Sequence, residues 1–225
     1  MTIPHSTGFA VAVDGPGGVG KSTAARRVAK RLNMTYIDTG AMYRAVALYN
    51  IRQGTDPQNE TAIVASLLHI NITLDKQQIL LNGEDVTKSI RTQEISEYTS
   101  VISPYAPVRK KLIAVQQKFA ASGEVVMDGR DIGSQVLPWA QVKIYLDADV
   151  SIRAQRRASE LAAKGQPADI TKILEEIKTR DHRDKTRDNS PLIRTDDAIY
   201  IDTGHMTLEE VIDKIIANIH AARRP

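Results

Sequence analysis

The chain has 225 residues, 42% of them hydrophobic and 25% charged, which supports one α/β domain with a sizeable core and argues against wholesale disorder. The 30 Lys and Arg residues against 27 Asp and Glu leave a formal charge of +3, a mild basicity suited to small polyanions rather than to nucleic acid. With no cysteine, disulfides, thiolate zinc sites and thiol nucleophiles are excluded together, a usage compatible with a reducing cytoplasm.

The N-terminal stretch Met-Thr-Ile-Pro-His-Ser-Thr-Gly has neither the basic nor the apolar region of a signal peptide, and no apolar run approaches the ~20 residues of a membrane span. This predicts a soluble, unprocessed, cytoplasmic protein without a membrane partner. A first apolar run, Phe9 to Val13, reads as a buried strand and breaks at Asp14-Gly15-Pro16-Gly17-Gly18-Val19-Gly20-Lys21-Ser22-Thr23. Helical patterning follows from Ser22 to about Leu32. Strands are predicted again at Thr35 to Ile37, with a helix from Ala41, and at Val125 to Met127. Val142 to Leu146 follows, with a helix from about Asp149, and then Ala198 to Ile201, with a C-terminal helix. Strands separated by helices predict an α/β fold, a five-stranded parallel sheet with helices on both faces.

The last helix carries Leu208, Val211, Ile212, Ile215, Ile216 and Ile219 on one face, and Thr207 with Glu210 forms a capping box. Between about Thr61 and Thr99 the rhythm changes. Ile70, Ile72 and Leu74 alternate before a turn at Asp75 to Gln77, and Ile79 to Leu81 is closed by Asn82-Gly83, which predicts a small antiparallel insertion. Ala162 to Pro167 reads as a mobile loop between two charged helical segments. The tetrapeptide Ile-Asp-Thr-Gly occurs at Ile37 and again at Ile201, for which two similar strand-to-helix turns are sufficient explanation.

Gly15 to Ser22 fits G-x-x-x-x-G-K-[ST] in the context its chemistry requires: strand, glycine loop, helix. Glycines let backbone N–H groups converge on a polyphosphate, and the helix N-terminus adds partial positive charge. Lys21 reaches β- and γ-phosphates and Ser22 is a Mg²⁺ ligand, so a nucleoside triphosphate with magnesium is implied. No Asn-Lys-x-Asp guanine-reading element is present, which disfavours a GTP switch.

Three clusters are candidates for an acceptor: Asp38 to Arg44 after the second strand, Asp128 to Asp131 after the third core strand, and Arg180 to Arg187. Each of the first two could be a helix cap beside a surface arginine. In the third, Arg180, Arg183, Asp184 and Arg187 share a helix face, which could equally be a solvated stack of ion pairs. Charge compensation separates the readings. A phosphate monoester with second pKa near ~6 is mostly a dianion and already nucleophilic, so it needs its repulsion from the triphosphate cancelled rather than a strong base. Arginine forks do that and cannot lose their proton, whereas a hydroxyl acceptor calls for a placed carboxylate.

Asp14 to Thr23, Asp38-Thr-Gly-Ala-Met-Tyr-Arg44, Asp128-Gly-Arg-Asp-Ile-Gly133, and Arg180-Asp-His-Arg-Asp-Lys-Thr-Arg187 with Ser190-Pro191-Leu192 together resemble the bacterial cytidylate kinase family of nucleoside monophosphate kinases. The resemblance implies transfer of the γ-phosphoryl group of ATP to CMP or dCMP. It assigns Gly15, Pro16, Gly17, Gly18, Val19, Gly20, Lys21, Ser22 and Thr23 to ATP, with Ser22 also on the metal. It assigns Ser100, Arg109 and Asp131 to the cytosine, with Arg187 close by, and Asp184 to the ribose hydroxyls. Arg44, Arg130 and Arg180 would grip the acceptor phosphate, and Lys21, Arg130 and Arg180 would act in catalysis. Thr39 stands where the family often has Ser and keeps the hydroxyl. Arg153 and Arg157 would enter on closure of a lid at about 153–172, and the nucleotide-binding insertion would span about 38–105 of a single domain, 1–225. Small nucleotides are the implied partners of a monomer that binds no nucleic acid. Another small P-loop kinase or an ATP-binding regulatory module remains an alternative on the sequence.

Overall fold

The computed structural model describes residues 8–75, 78–121, 123–163 and 165–224. In chain order the elements are β1 (Ala10–Asp14), α1 (Lys21–Arg31), β2 (Thr35–Asp38), α2 (Thr39–Arg52), α3 (Glu60–Ser66), β3 (Ile72–Asp75), β4 (Gln78–Leu81) and β5 (Glu84–Asp85). They continue with α4 (Gln93–Ile102), α5 (Ala106–Ala120), β6 (Val125–Asp128), β7 (Val142–Asp147), α6 (Val150–Ala163), α7 (Ile170–Thr186), β8 (Ile199–Asp202) and α8 (Leu208–Ala222).

The main sheet has the order β2-β6-β1-β7-β8, with β1 parallel to both β6 and β7 and β7 parallel to β8. Val11 lies opposite Val126 on one side and Val142 on the other. Because a central parallel strand is covered on both faces, β1 and β6 read as unbroken apolar runs and are buried along their length. Every strand of this sheet ends on an aspartate: Asp14, Asp38, Asp128, Asp147 and Asp202.

The chain divides into two compact units, and each has its own interior. The unit of Phe9–Tyr36 with Glu124–Pro225 packs α1 and α8 on the strands through Val28, Val11, Val126, Ile144, Ile201, Ile212, Ile215 and Ile219. The predicted apolar face of α8 is the one buried, and its Thr207–Glu210 capping box is present. Gly165, with φ 69, ends α6, its N–H donating to the Ala162 carbonyl while that of Gln166 donates to Leu161, the left-handed cap that only glycine adopts without strain. Of the predicted loop at Ala162 to Pro167, residues 162 and 163 are therefore helical, and Lys164 lies outside the described residues.

The unit built on Ile37–Gly123 holds β3, β4 and β5 as an antiparallel sheet. Asn82 (φ 51) and Gly83 (φ 89) make the two-residue turn predicted to close the second apolar run; it joins that run to β5, a strand not predicted, with Leu81 paired to Glu84. The predicted turn at Asp75 to Gln77 falls partly on residues 76–77, outside the described residues. The strand starts at Ile72 rather than Ile70. The same unit also contains α3, α4 and α5, which the alternating apolar pattern did not announce; side-chain caps at Asn59 and Thr92 and a proline at the start of α5 set their beginnings. Among the described residues no helix is long and apolar enough to cross a membrane.

Candidate active site

The end of β1 leads into the glycine loop under tight constraint. Gly15 has φ 142, and a Cβ there would lie 2.0 Å from the Leu146 carbonyl oxygen of β7. Gly20, with φ 87, is the N-cap of α1, and no side chain caps that helix, so its first amides are left to meet an anion. Lys21 is buried and its Nζ donates to the Pro16 carbonyl at 2.5 Å, folding the ammonium over the loop. Burial and the charges of Arg130 and Arg180 hold its pKa well below the usual lysine value, against the pull of Asp128 and Asp14. The part of this depression that comes from the two arginines is what a bound polyphosphate relieves. Ser22 Oγ donates to Asp128 Oδ2 at 2.7 Å, and the Tyr36 hydroxyl donates to Asp128 Oδ1 at 2.7 Å. With its proton given to Asp128, the Ser22 oxygen keeps its lone pairs for a cation.

The same unit gathers the arginines of the second and third motifs. Arg130 Nε donates to Asp184 Oδ2 at 3.0 Å, and a Cβ on Gly17 would sit 3.6 Å from Arg130 Nη2, so this guanidinium flanks the phosphate loop. Arg187 stands 3.8 Å from Asp184 Oδ1 and 3.8 Å from Asp131 Oδ1. Burial opposes the charge on Asp184, but Arg130, Arg180 and Arg187 outweigh it and hold the carboxyl below the usual aspartate value. Burial likewise opposes the charge of Arg130, and Asp184 more than restores it. The face of α7 is thus no solvated ladder: Asp184 is buried and takes its closest arginine from the β6 loop, while Arg180 remains exposed at the same cluster.

Arg153, expected at a lid, is buried in α6. Its Nε donates to the Ala148 carbonyl at 2.9 Å and its Nη1 to the Gly17 carbonyl at 3.1 Å, while Nη2 lies 2.6 Å from Asp181 Oδ2 of α7. Arg157 is half-exposed and pairs with Glu160 at 3.4 Å.

In the insertion unit, Asp38 caps α2 by accepting from the Ala41 amide at 2.9 Å and draws in Arg91 at 2.8 Å and Arg44 at 3.5 Å. The cap is why α2 begins at Thr39 and not at Ala41. Burial opposes the Asp38 charge, but Arg44 and Arg91 keep its pKa below the usual value. Thr39 is buried beside it. Arg109 is buried, lies over the Tyr43 ring at 5.4 Å and donates to the Ser103 carbonyl at 3.2 Å; Ser100 is half-buried on α4.

Sequence reasoning missed Arg91, Asp181 and the parts played by Asp14 and Asp128. The strand-final aspartates were a usable signal for the last two, since each stands where a turn leaves the sheet; the partners of Asp38 and Arg153 lie 53 and 28 positions away respectively and follow from no local pattern.

Residues 11–221 match the family model described as Cytidylate kinase. A curated protein of Oceanobacillus iheyensis named Cytidylate kinase is 43% identical over 213 residues, covering 93% of each chain. One of Caldanaerobacter subterraneus with the same name is 47% identical over 205 residues, covering 91% of this chain and 92% of its own. Among solved structures, a gluconokinase from Sinorhizobium meliloti superposes with a TM-score of 0.50 at 12% identity, covering 95% of this chain and 92% of its own, a likeness of fold alone.

Proposed function

The chain belongs to the cytidylate kinase family, and from that premise we propose that it transfers the γ-phosphoryl group of ATP to CMP or dCMP, releasing ADP with CDP or dCDP. The observation that carries the reading is the cation cluster of Lys21, Arg130 and Arg180 about the phosphate loop, held together by the buried Asp184. Such a cluster suits two anions rather than one anion and a hydroxyl.

In this reading the loop from Gly15 to Thr23 binds the donor phosphates through its amides and Lys21. Arg130 and Arg180 neutralise the acceptor phosphate, a role the family resemblance also assigns to Arg44. An oxygen of that dianion forms the new bond to the γ-phosphorus as the bond from phosphorus to the ADP oxygen breaks; no strong base is needed. Lys21, Arg130 and Arg180 oppose the charge that spreads over the transferring oxygens. Asp131 accepts from the cytosine amino group with Arg187 close to it, and Asp184 takes the ribose hydroxyls; the family resemblance assigns Ser100 and Arg109 to the base and Thr39 to the acceptor nucleotide.

Ser22 and Asp128 fit a magnesium ion bound with the triphosphate, because Ser22 offers an oxygen whose proton is already committed to Asp128. Ser22 would be the side chain that holds the ion, with Asp128 fixing its hydroxyl from behind. Mg²⁺ would neutralise donor charge. We further read the chain as one kinase domain with an acceptor-binding insertion at about 38–105 and a lid at about 153–172, acting as a cytoplasmic monomer on small nucleotides and not on nucleic acid. Of the two arginines assigned to that lid, Arg153 is already buried and Arg157 is half-exposed, so Arg157 is the one that would turn inward on closure, excluding water.

A coupled ADP-release assay across the common nucleoside monophosphates tests this. ADP should appear with CMP and dCMP and stay near background without acceptor; release that ignores the acceptor, or prefers UMP or AMP, would reject it.

A further inference from the structure

Asp14 directly precedes the phosphate loop, but its carboxylate serves a different segment. Oδ1 accepts from the Ile132 amide at 2.8 Å and Oδ2 from the Gly133 amide at 2.7 Å, residues 118 and 119 positions away. These are the two amides that follow Asp131. The Asp131 carbonyl in turn accepts from Gln135 at 2.9 Å and Val136 at 3.2 Å, and Ile132 accepts from Leu137 at 2.7 Å, making one turn of π-helix over Ile132–Val136. Such turns are rare, and this one begins with amides that have no partner within the turn. Asp131 itself sits at φ −143, ψ 28, outside helical geometry, so the aim of its side chain depends on where the next two amides are pinned.

We propose that Asp14 is a positioning residue that holds Asp131 in register with the acceptor base, so that the strand feeding the donor loop also sets acceptor selectivity. The proposal deepens the function above and rests on Asp131 reading cytosine.

Energetics speak for a purpose. Burial pushes the Asp14 pKa up to about 7; the Gly133 and Ile132 amides and Lys21 oppose this, and the Asp131 charge adds to it. The charged and titratable groups around it are Lys21 of α1, Asp131, and Lys143 and Tyr145 of β7. An ionised aspartate there weighs against the fold, yet it is the form that accepts from both amides. Asparagine, or protonated aspartate, turns a donor toward one of them.

The test compares Asp14→Asn with the parent and with Asp131→Ala at about pH 8, where Asp14 is ionised. KM and kcat are measured for CMP and UMP at saturating ATP, together with KM for ATP and the melting temperature. Asp14→Asn should raise KM for CMP and cut the preference for CMP over UMP by about tenfold each, with KM for ATP within about twofold and a melting temperature no lower than the parent's. An unchanged preference overturns the proposal, as does an equal loss for both acceptors and ATP with a lowered melting temperature. If Asp131→Ala keeps the preference, the cytosine assignment fails and the proposal falls with it. Should Asp14→Asn fail to fold, the parent decides: its CMP-to-UMP preference should fall as pH drops through about 7, a ratio in which the titration of the acceptor phosphates cancels, and a flat ratio overturns the proposal.

Discussion

Gly15→Ala puts the first constraint of the phosphate loop to the test. The backbone at Gly15 has φ 142, a region that L-residues rarely adopt, and the added Cβ would lie 2.0 Å from the Leu146 carbonyl oxygen. Neither backbone can give way cheaply, because Asp14 pairs with Tyr145 and Val13 with Ile144 in the ladder alongside. Backbone strain contributes about 1–3 kcal/mol and the overlap a similar amount, so the substitution should destabilise by about 2–6 kcal/mol. For a chain of this size that is a fall in melting temperature on the order of 10 °C. Gly54→Ala is the internal control: φ is 65 and nothing lies within 4 Å, so the left-handed backbone alone should cost about 1–2 kcal/mol. Thermal melts with and without ATP, with KM for ATP, check both. A Gly15→Ala protein that melts with the Gly54→Ala control and keeps its KM for ATP would refute the steric reasoning.

Lys21→Ala should lower kcat by at least about 10²-fold, read in the ADP-release assay; turnover near the parent level would contradict its role. Asp181→Ala strands the buried Arg153 beside Gly17 and should destabilise by about 3–5 kcal/mol in urea unfolding, whereas Arg153→Met with Asp181→Leu should recover much of the loss. Asp38 and Asp184 titrate below their usual values, so the stability they add is complete above about pH 4 and lost as pH falls through their lowered pKa values; Asp184→Asn should flatten that acid limb. Asp14 has the opposite sign. Its pKa rises from 3.8 to about 7, so the parent loses stability as pH climbs across that window, by roughly 4 kcal/mol at most, and Asp14→Asn should gain on it over the same range. Parallel stability curves for the two would contradict this.

The main sheet was legible because its central strands are short apolar runs cut off by aspartate and glycine, and because the loop after β1 has a spacing that phosphate binding dictates. The α8 cap and the Asn82-Gly83 turn were legible for the same reason: each is fixed by neighbours in sequence. The helices α3, α4 and α5 were not, since their buried positions, such as Ile63, Ile95, Tyr98 and Leu112, are spaced among polar residues that the strand-like alternation nearby obscures. The π-turn after Asp131 was invisible because a carboxylate more than a hundred positions away holds it. The Arg180 to Arg187 segment shows the limit most plainly. Its pattern fits an exposed ladder as well as a buried clamp, and only Arg130, from another element, makes Asp184 the centre of a cluster.

The central claim is that one phosphoryl group passes directly between two nucleotides. Phosphorus NMR of the protein with ATP, CMP and magnesium tests it most directly. CDP and ADP should grow in equal amounts as ATP and CMP decline, and nothing should change when either nucleotide is left out. Inorganic phosphate and ADP rising with no CDP would contradict it.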